Sequence, residues 1–322
     1  MKKIFYAVVA VVAMASCSKD EVIEVNREQI GFGDVFVDNA TRADYSTAGS
    51  LKEFYVYGTA SGTMNGGGTV NIFDGDKVTG TVGNTVWSCT ETQYWIPGAN
   101  YNFAAVVDAT VTAPDSSYGM PTTLTTIADD ASTGNMNLKD MLYAEASVAG
   151  TVVTDNYNEP VNFTFNHLLS KVHFTVTSTA QGDYYHTVTG IKVANYSSGT
   201  YAITTDTWTG KTAKDVPFAD IAEVTNTAGK SNADMLLMPT AATFNVMFTV
   251  NLYKDNLYKD DTLLSTENKT VPVTIKDGEQ VVGLQKGHAY NFTIACSVGN
   301  PIQFSVTNNP AWATPQQEVT IP

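Results

Sequence analysis

Hydrophobic residues in this chain recur at every second position rather than at helical spacing. Val161, Phe163 and Phe165 alternate with polar neighbours, and after Asn166 and His167 the same rhythm resumes at Val172, Phe174 and Val176. A period of two is the mark of a strand with one buried face. Further strand-like runs are Leu51 to Gly58, Val70 to Phe73, Tyr101 to Val107, Ile191 to Ala194, Tyr201 to Thr204 and Met235 to Met238. Phe244 to Leu252, Val271 to Ile275, His288 to Ile294 and Ile302 to Val306 continue the series. After residue 14 no long stretch has the 3.6-residue period. Short strands at this spacing predict a β-sandwich. Asp74, Gly75 and Asp76 read as the tight turn of a hairpin rather than a calcium site, which would need further oxygen ligands at fixed spacing. Ala113 to Asn135, rich in Ser, Thr, Pro, Gly and Asp, reads as a long loop, and Asp140 to Ala144 as a helical turn or a short strand.

The N-terminus follows a different pattern. Lys2 and Lys3 precede an apolar run from Ile4 to Met14 that leads through Ala15 and Ser16 to Cys17. This is the layout of a lipoprotein signal peptide over residues 1–16, with lipid expected on Cys17. The run is about eleven residues, and a spanning helix needs roughly 20. Next comes Ile30 to Val37. Ile30 and Phe32 share one face, and Val35 and Val37 rejoin it only if the phase slips once, with Gly33 as the natural bulge. This segment is expected to be a core strand. Arg42, between Thr41 and Ala43 in a polar stretch, is a candidate for cleavage by a trypsin-like protease. Cleavage there would release the strand and leave an apolar groove that another subunit's strand could refill.

The chain has 322 residues and a formal charge of −14. Loss of Lys2 and Lys3 with the signal takes the charge to −16, and loss of three basic and six acidic groups over 17–42 returns it to −13. Nucleic acid is excluded as a partner at that balance, because phosphate binding needs clustered Lys and Arg. Cys89 and Cys296 read as buried free thiols rather than a disulfide. His167, His173, His186 and His288 lack further ligands at metal-binding spacing, and His167 is expected to satisfy backbone groups at its turn. No nucleophile elbow, phosphate loop or dinucleotide fingerprint is present, so neither an enzyme nor a cofactor is expected. Trp87, Trp95, Trp208 and Trp312 are either buried sandwich aromatics or a platform for stacking sugars, burial being the commoner fate.

Taken in order, these features resemble the Bacteroidetes fimbrillin family, the pilins and accessory subunits of type V pili. The resemblance rests on Cys17, Thr41 to Ala43 ahead of Leu51 to Gly58, and Tyr94 to Pro97 before Tyr101 to Ala104. It continues through Asp140 to Ala144, Phe165 to Val176, Asn195 to Tyr201, Leu236 to Pro239 and Leu284 to Asn291. Ser18 to Glu21, directly after Cys17, is similar to the signal by which Bacteroidetes export lipoproteins to the cell surface. The resemblance implies an all-β chain of two transthyretin-like β-sandwich domains in tandem, over 43–159 and 160–322, behind a lipidated propeptide over 17–42. It implies anchoring to the outer membrane through Cys17, cleavage between Arg42 and Ala43 by an arginine-specific protease, and displacement of the strand carrying Ile30, Phe32, Val35 and Val37. Assembly with other pilin subunits by strand donation would follow, serving adhesion to a host or glycan ligand. Val319 and Ile321 either complete the last sheet of their own domain or form the donated strand. The rival expectation is a surface glycan-binding lipoprotein that keeps its first strand and stays monomeric.

Overall fold

The computed structural model describes residues 28–37, 51–62, 67–80, 87–111, 119–128, 138–179, 184–224, 229–255, 260–277, 279–309 and 317–320; of 223, 260, 309 and 317–320 the backbone alone is described. The chain is all-β. Its first half runs through β1 (Phe32–Val37), β2 (Glu53–Ser61), β3 (Thr69–Thr79), β4 (Ser88–Cys89), β5 (Asn100–Val107), β6 (Ala109–Val111), β7 (Thr123–Thr126), β8 (Leu142–Val148) and β9 (Val161–His167). The second half begins with β10 (Ser170–Ser178), β11 (Tyr185–Ala202), β12 (Thr207–Pro217), β13 (Ile221–Val224), β14 (Lys230–Ser231), β15 (Met235–Leu237) and β16 (Phe244–Tyr253). It ends with β17 (Leu263–Val273), β18 (Lys276–Asp277), β19 (Gln280–Val281), β20 (Ala289–Cys296), β21 (Gln303–Asn309) and β22 (Gln317–Thr320).

Three larger sheets result. The first has the order β1-β9-β8-β5-β2-β3-β4. β8 meets β9 only through Leu142 with His167 and Tyr143 with Asn166. Beyond that junction β9 and β1 cross the apolar face of β2, β3 and β5, where Phe32 touches Phe54, Phe73 and Phe103. The second sheet runs β14-β10-β20-β21-β22, with β15 also on β10, and the third runs β17-β16-β11-β7-β6, with β12 and β13 on the other edge of β11. These two sheets enclose a core that includes Phe174, Phe292, Phe244, Phe248 and Phe304. Alternation explains the arrangement: β10 and β20 pair in parallel, and each buries one residue in two.

The structure overturns two sequence expectations and sharpens others. Val161, Phe163 and Phe165 of β9 pack in the first core, so the change from one core to the next falls after His167, within about ten residues of the boundary expected near Pro160. The stretch expected as a loop over 113–135 contains β7, whose Thr125, Leu124 and Thr123 pair with Thr200, Tyr201 and Ala202 of β11. The first half thus lends β6 and β7 to a sheet of the second. Asp74, Gly75 and Asp76 form no hairpin: Val56 pairs with Asp76 and Tyr57 with Asp74, so Gly75, at φ +83°, is the extra residue of a bulge inside β3. Of the two alternatives for Asp140 to Ala144, the strand is the one found, as β8. Cys89 and Cys296 are both free, as expected, but Cys89 is half-buried while Cys296 is fully buried.

A third apolar cluster joins the halves. Leu124, Leu138 and Met141 pack with Leu168, Leu169, Leu236 and Met238. Beside this seam His167, expected to serve backbone groups, places Nδ1 2.9 Å from Asp140 Oδ1, with both side chains buried.

The shared cluster predicts that the chain unfolds as one cooperative unit. A single calorimetric transition is expected, and Leu124→Ala should lower stability by about 2 to 5 kcal/mol in urea titrations while leaving that single transition intact. A pH dependence follows from His186, 3% exposed, whose Nδ1 lies 2.9 Å from Ser178 Oγ. Burial pushes its pKa below the ordinary value, so below about pH 6.5 the unfolded chain binds a proton that the folded chain refuses. Stability from this group is present above that pH and declines below it. Urea midpoints taken from about pH 7 to about pH 5 should fall less steeply for His186→Gln than for the parent chain.

Candidate functional site

The site is the slot that β1 occupies in the first core. Phe32, 1% exposed, is ringed by Phe54, Phe73, Phe103 and Phe163, with centroids 6.1, 5.5, 6.5 and 6.0 Å away. These distances are ordinary for packed aromatic rings. Ile30 and Val35 are also buried in this core, and Val37 packs against it half-buried. Phe36 points outward.

Phase is kept by the bulge. Phe32 pairs with Val161 and Val35 with Phe163, so β1 spends one residue more than β9 between these partners. Gly33 makes the slip feasible, because a Cβ there would come within 2.5 Å of Asn162 Oδ1 and 2.7 Å of Pro160 Cγ. A strand without a small residue at that point could not lie flat on β9.

Both edges of the segment are hydrogen-bonded. On one side β1 runs parallel to β9, and Val161 N–H donates to Gly31 O at 2.8 Å. On the other side Trp87 N–H donates to Phe32 O, Ile30 N–H to Gln93 O and Trp95 N–H to Glu28 O, at 2.8 to 3.0 Å. The three buried side chains together are worth about 5 to 9 kcal/mol as an upper value. That is comparable with the whole net stability of a domain, about 5 to 15 kcal/mol. Trp87 and Trp95 form part of the wall and are themselves buried, so they offer no platform for sugars. Removal of residues 28–37 would bare Trp87, break these backbone bonds and open an aromatic-lined groove without cutting any other described strand.

The other expected positions fall as follows. Cys17, Arg42 and Ala43 lie outside the described residues, as do Trp312 and Ile321. Val319 lies in β22, opposite Val306 on the outer edge of the second sheet. Residues 317–320 are therefore paired with their own chain, at the edge of its last sheet. Among the described residues no group of three or more His, Cys, Asp and Glu is placed to hold a metal ion, and no helix is long and apolar enough to cross a membrane. What the sequence did not reveal is the second wall of the slot: residues 87–95 show no alternation to mark them as partners of β1.

No curated protein matches the chain. Among solved structures it is similar to a fimbrial protein from Bacteroides vulgatus, with 16% identity and a TM-score of 0.61 over 87% of this chain and 98% of the other. It is also similar to a putative cell adhesion protein from Bacteroides uniformis, with 19% identity and a TM-score of 0.52 over 88% and 98% of the two chains. At such identities these likenesses establish the fold. The family profile described as "Fimbrillin-like" matches residues 41–310, and by that match the chain belongs to the fimbrillin-like family.

Proposed function

We propose that the chain is a pilus subunit exported as an outer-membrane lipoprotein through Cys17, matured by arginine-specific cleavage between Arg42 and Ala43, and assembled when a neighbouring subunit's strand enters the β1 slot. Membership of the family makes it a structural protein of fimbriae and the cell surface, not an enzyme. In this reading the two cores are two transthyretin-like sandwiches, and the segment carrying Ile30, Phe32, Val35 and Val37 holds the first of them closed until it is needed.

One observation carries the reading. The strand that fills the centre of the first core is also the first described strand of the chain, and a segment containing Arg42 follows it. A single cut therefore turns an intramolecular strand into a displaceable one. The family match starts at residue 41, two residues before Ala43, where the proposed mature chain begins. An emptied slot would be unstable, since an edge with unpaired backbone groups and an apolar groove invites another strand.

Val319 and Ile321 are proposed as part of the donated strand. In the uncut chain β22 rests on β21 through Thr320, Val319, Glu318 and Gln317 opposite Ser305 to Asn308, at a sheet edge. Such a short outer strand is held far less firmly than β1. Its release would free both the tail and the edge of β21.

Treating the purified lipoprotein with an arginine-specific protease should give a ladder of polymers on unheated gels, and Arg42→Ala should abolish it. Tryptophan emission should shift to the red while the slot is open and return as polymers form, because Trp87 and Trp95 line it. A trimmed chain that stays monomeric with unshifted emission would count against the proposal. Deleting residues 310–322 separates donor from acceptor: the shortened chain should still be cut and should cap polymers of the intact chain, without forming polymers alone.

A further inference from the structure

Trp208 differs from Trp87 and Trp95 in being only partly buried: it packs against the apolar cluster at the seam and borders a cavity. It lies near the start of β12, opposite Tyr201 of β11, with the two rings 5.4 Å apart at 52°. It lines a cavity of about 430 Å3 together with Asp206, Lys211, Thr240, Gln285 and Lys286. That is within the usual range for small-molecule sites, about 300 to 1,000 Å3. Its indole N–H is buried and has no acceptor among the described residues, so the ring face rather than the N–H is what the cavity offers.

Asp206 is held in a fixed pose on the rim. Its backbone is in the left-handed region, at φ +52°, in the turn between β11 and β12. Tyr201 OH donates to Oδ1 at 2.7 Å, and the Lys286 ammonium bonds the same oxygen. Burial would raise this carboxyl's pKa, but the hydrogen bonds from Lys286 and Tyr201 outweigh it and hold the group below its usual range. Among the described residues Oδ2 has no partner, on a side chain 60% exposed. Lys211, also on the rim, rests 4.5 Å above the Tyr196 ring and has no carboxylate partner among the described residues. Lys286 also borders a neighbouring cavity of about 300 Å3, lined by Tyr143, Asn166, His167 and Tyr201, so the cleft continues along the seam between the halves.

We infer that this cleft binds an acidic saccharide, with a sugar ring face on Trp208, adjacent hydroxyls on Asp206 Oδ2, and the carboxylate or sulfate on Lys211. The combination is selective. A purely apolar ligand would leave the fixed carboxylate and the free ammonium desolvated and unpaired. A metal cation would find one carboxylate with a lysine already on it. A polyphosphate would meet Asp206 and only two lysines. A sugar supplies an apolar ring face, hydroxyl donors for Oδ2 and, when acidic, a charge for Lys211. In a chain of net charge −14, a cation without a carboxylate partner among the described residues, beside a half-buried aromatic, is a local exception. This inference is independent of strand exchange, because the cleft and the β1 slot share no residue.

The test uses the full uncut chain and three probes: a hyaluronan tetrasaccharide carrying carboxylates, a chondroitin 4-sulfate tetrasaccharide carrying sulfates as well, and neutral chitotetraose. Isothermal titration should show at least one acidic probe binding with a Kd of about 1 mM or tighter, and chitotetraose about 10-fold weaker or worse. Preference between the two acidic probes identifies the anionic group. Lys211→Glu, at an exposed position, should weaken acidic binding about 10-fold with thermal unfolding unchanged, and Trp208→Phe about 3-fold. Absence of binding by every probe, equal binding of chitotetraose, or indifference to Lys211→Glu would each overturn the inference.

Discussion

The contact of Phe32 with four other phenylalanines is the constraint around which the first half of the chain is built. Those rings come from β2, β3, β5 and β9, so one side chain of the first strand ties both layers of this core together. The phase slip at Gly33 exists to serve that contact, since it lets Ile30 and Phe32 on one side of the bulge and Val35 on the other face the same interior. Hydrogen bonds on both edges then fix the strand's direction. A strand so embedded has no ordinary route out while it remains covalently attached, because leaving would expose aromatic surface and backbone groups at once. Cutting the chain changes this without touching a contact: the strand keeps its enthalpic hold but loses the high local concentration that its connection provides.

Much of this was legible in the sequence. The alternation at Ile30, Phe32, Val35 and Val37 located both the buried face and the bulge, because period-two patterning is a direct record of burial on a pleated strand. β9, β10 and β20 were legible for the same reason. The failures are equally physical. Asp74, Gly75 and Asp76 have turn chemistry, and a bulge with its glycine in the left-handed region demands the same residues as a hairpin turn. Thr123 to Thr126 carries one fully buried side chain, Leu124, and polar threonines around it, so nothing local distinguishes a short added strand from a loop. The partner of that strand lies about 75 residues away, and such pairing leaves no trace in a local window. The strand that fills the slot was legible; the walls were not, since Trp87 and Trp95 look like any buried aromatics until β1 is placed against them.

Lending β6 and β7 to the second half has a mechanical consequence. Leu124 sits in the seam with Met141, Leu168, Leu169 and Met238, and the His167–Asp140 pair lies beside it. The halves are thus joined by strand pairing, an apolar cluster and a buried polar contact rather than by a single linker. Loss of β1 would open the slot between β9 and residues 87–95, whereas β8 and the start of β10 stay held by the seam. The arrangement would confine the consequence of removing that strand to one face of one core, since the second core shares no residue with the slot.

The two ends of the chain differ in how much each has to lose. β1 is flanked on both edges and buries three side chains, whereas β22 pairs along β21 alone at the outside of its sheet. If a tail from one molecule is to occupy the slot of the next, the exchange is favourable when the edge pairing given up is worth less than the burial gained. The geometry supplies that asymmetry before any partner arrives, since an outer strand is partly solvated in either state while the slot is dry when filled. It also sets a demand on the incoming strand: an apolar residue must reach the position of Phe32, with a small residue beside it to pass Pro160 and Asn162. Shape as well as hydrophobicity would then select which subunits can follow one another.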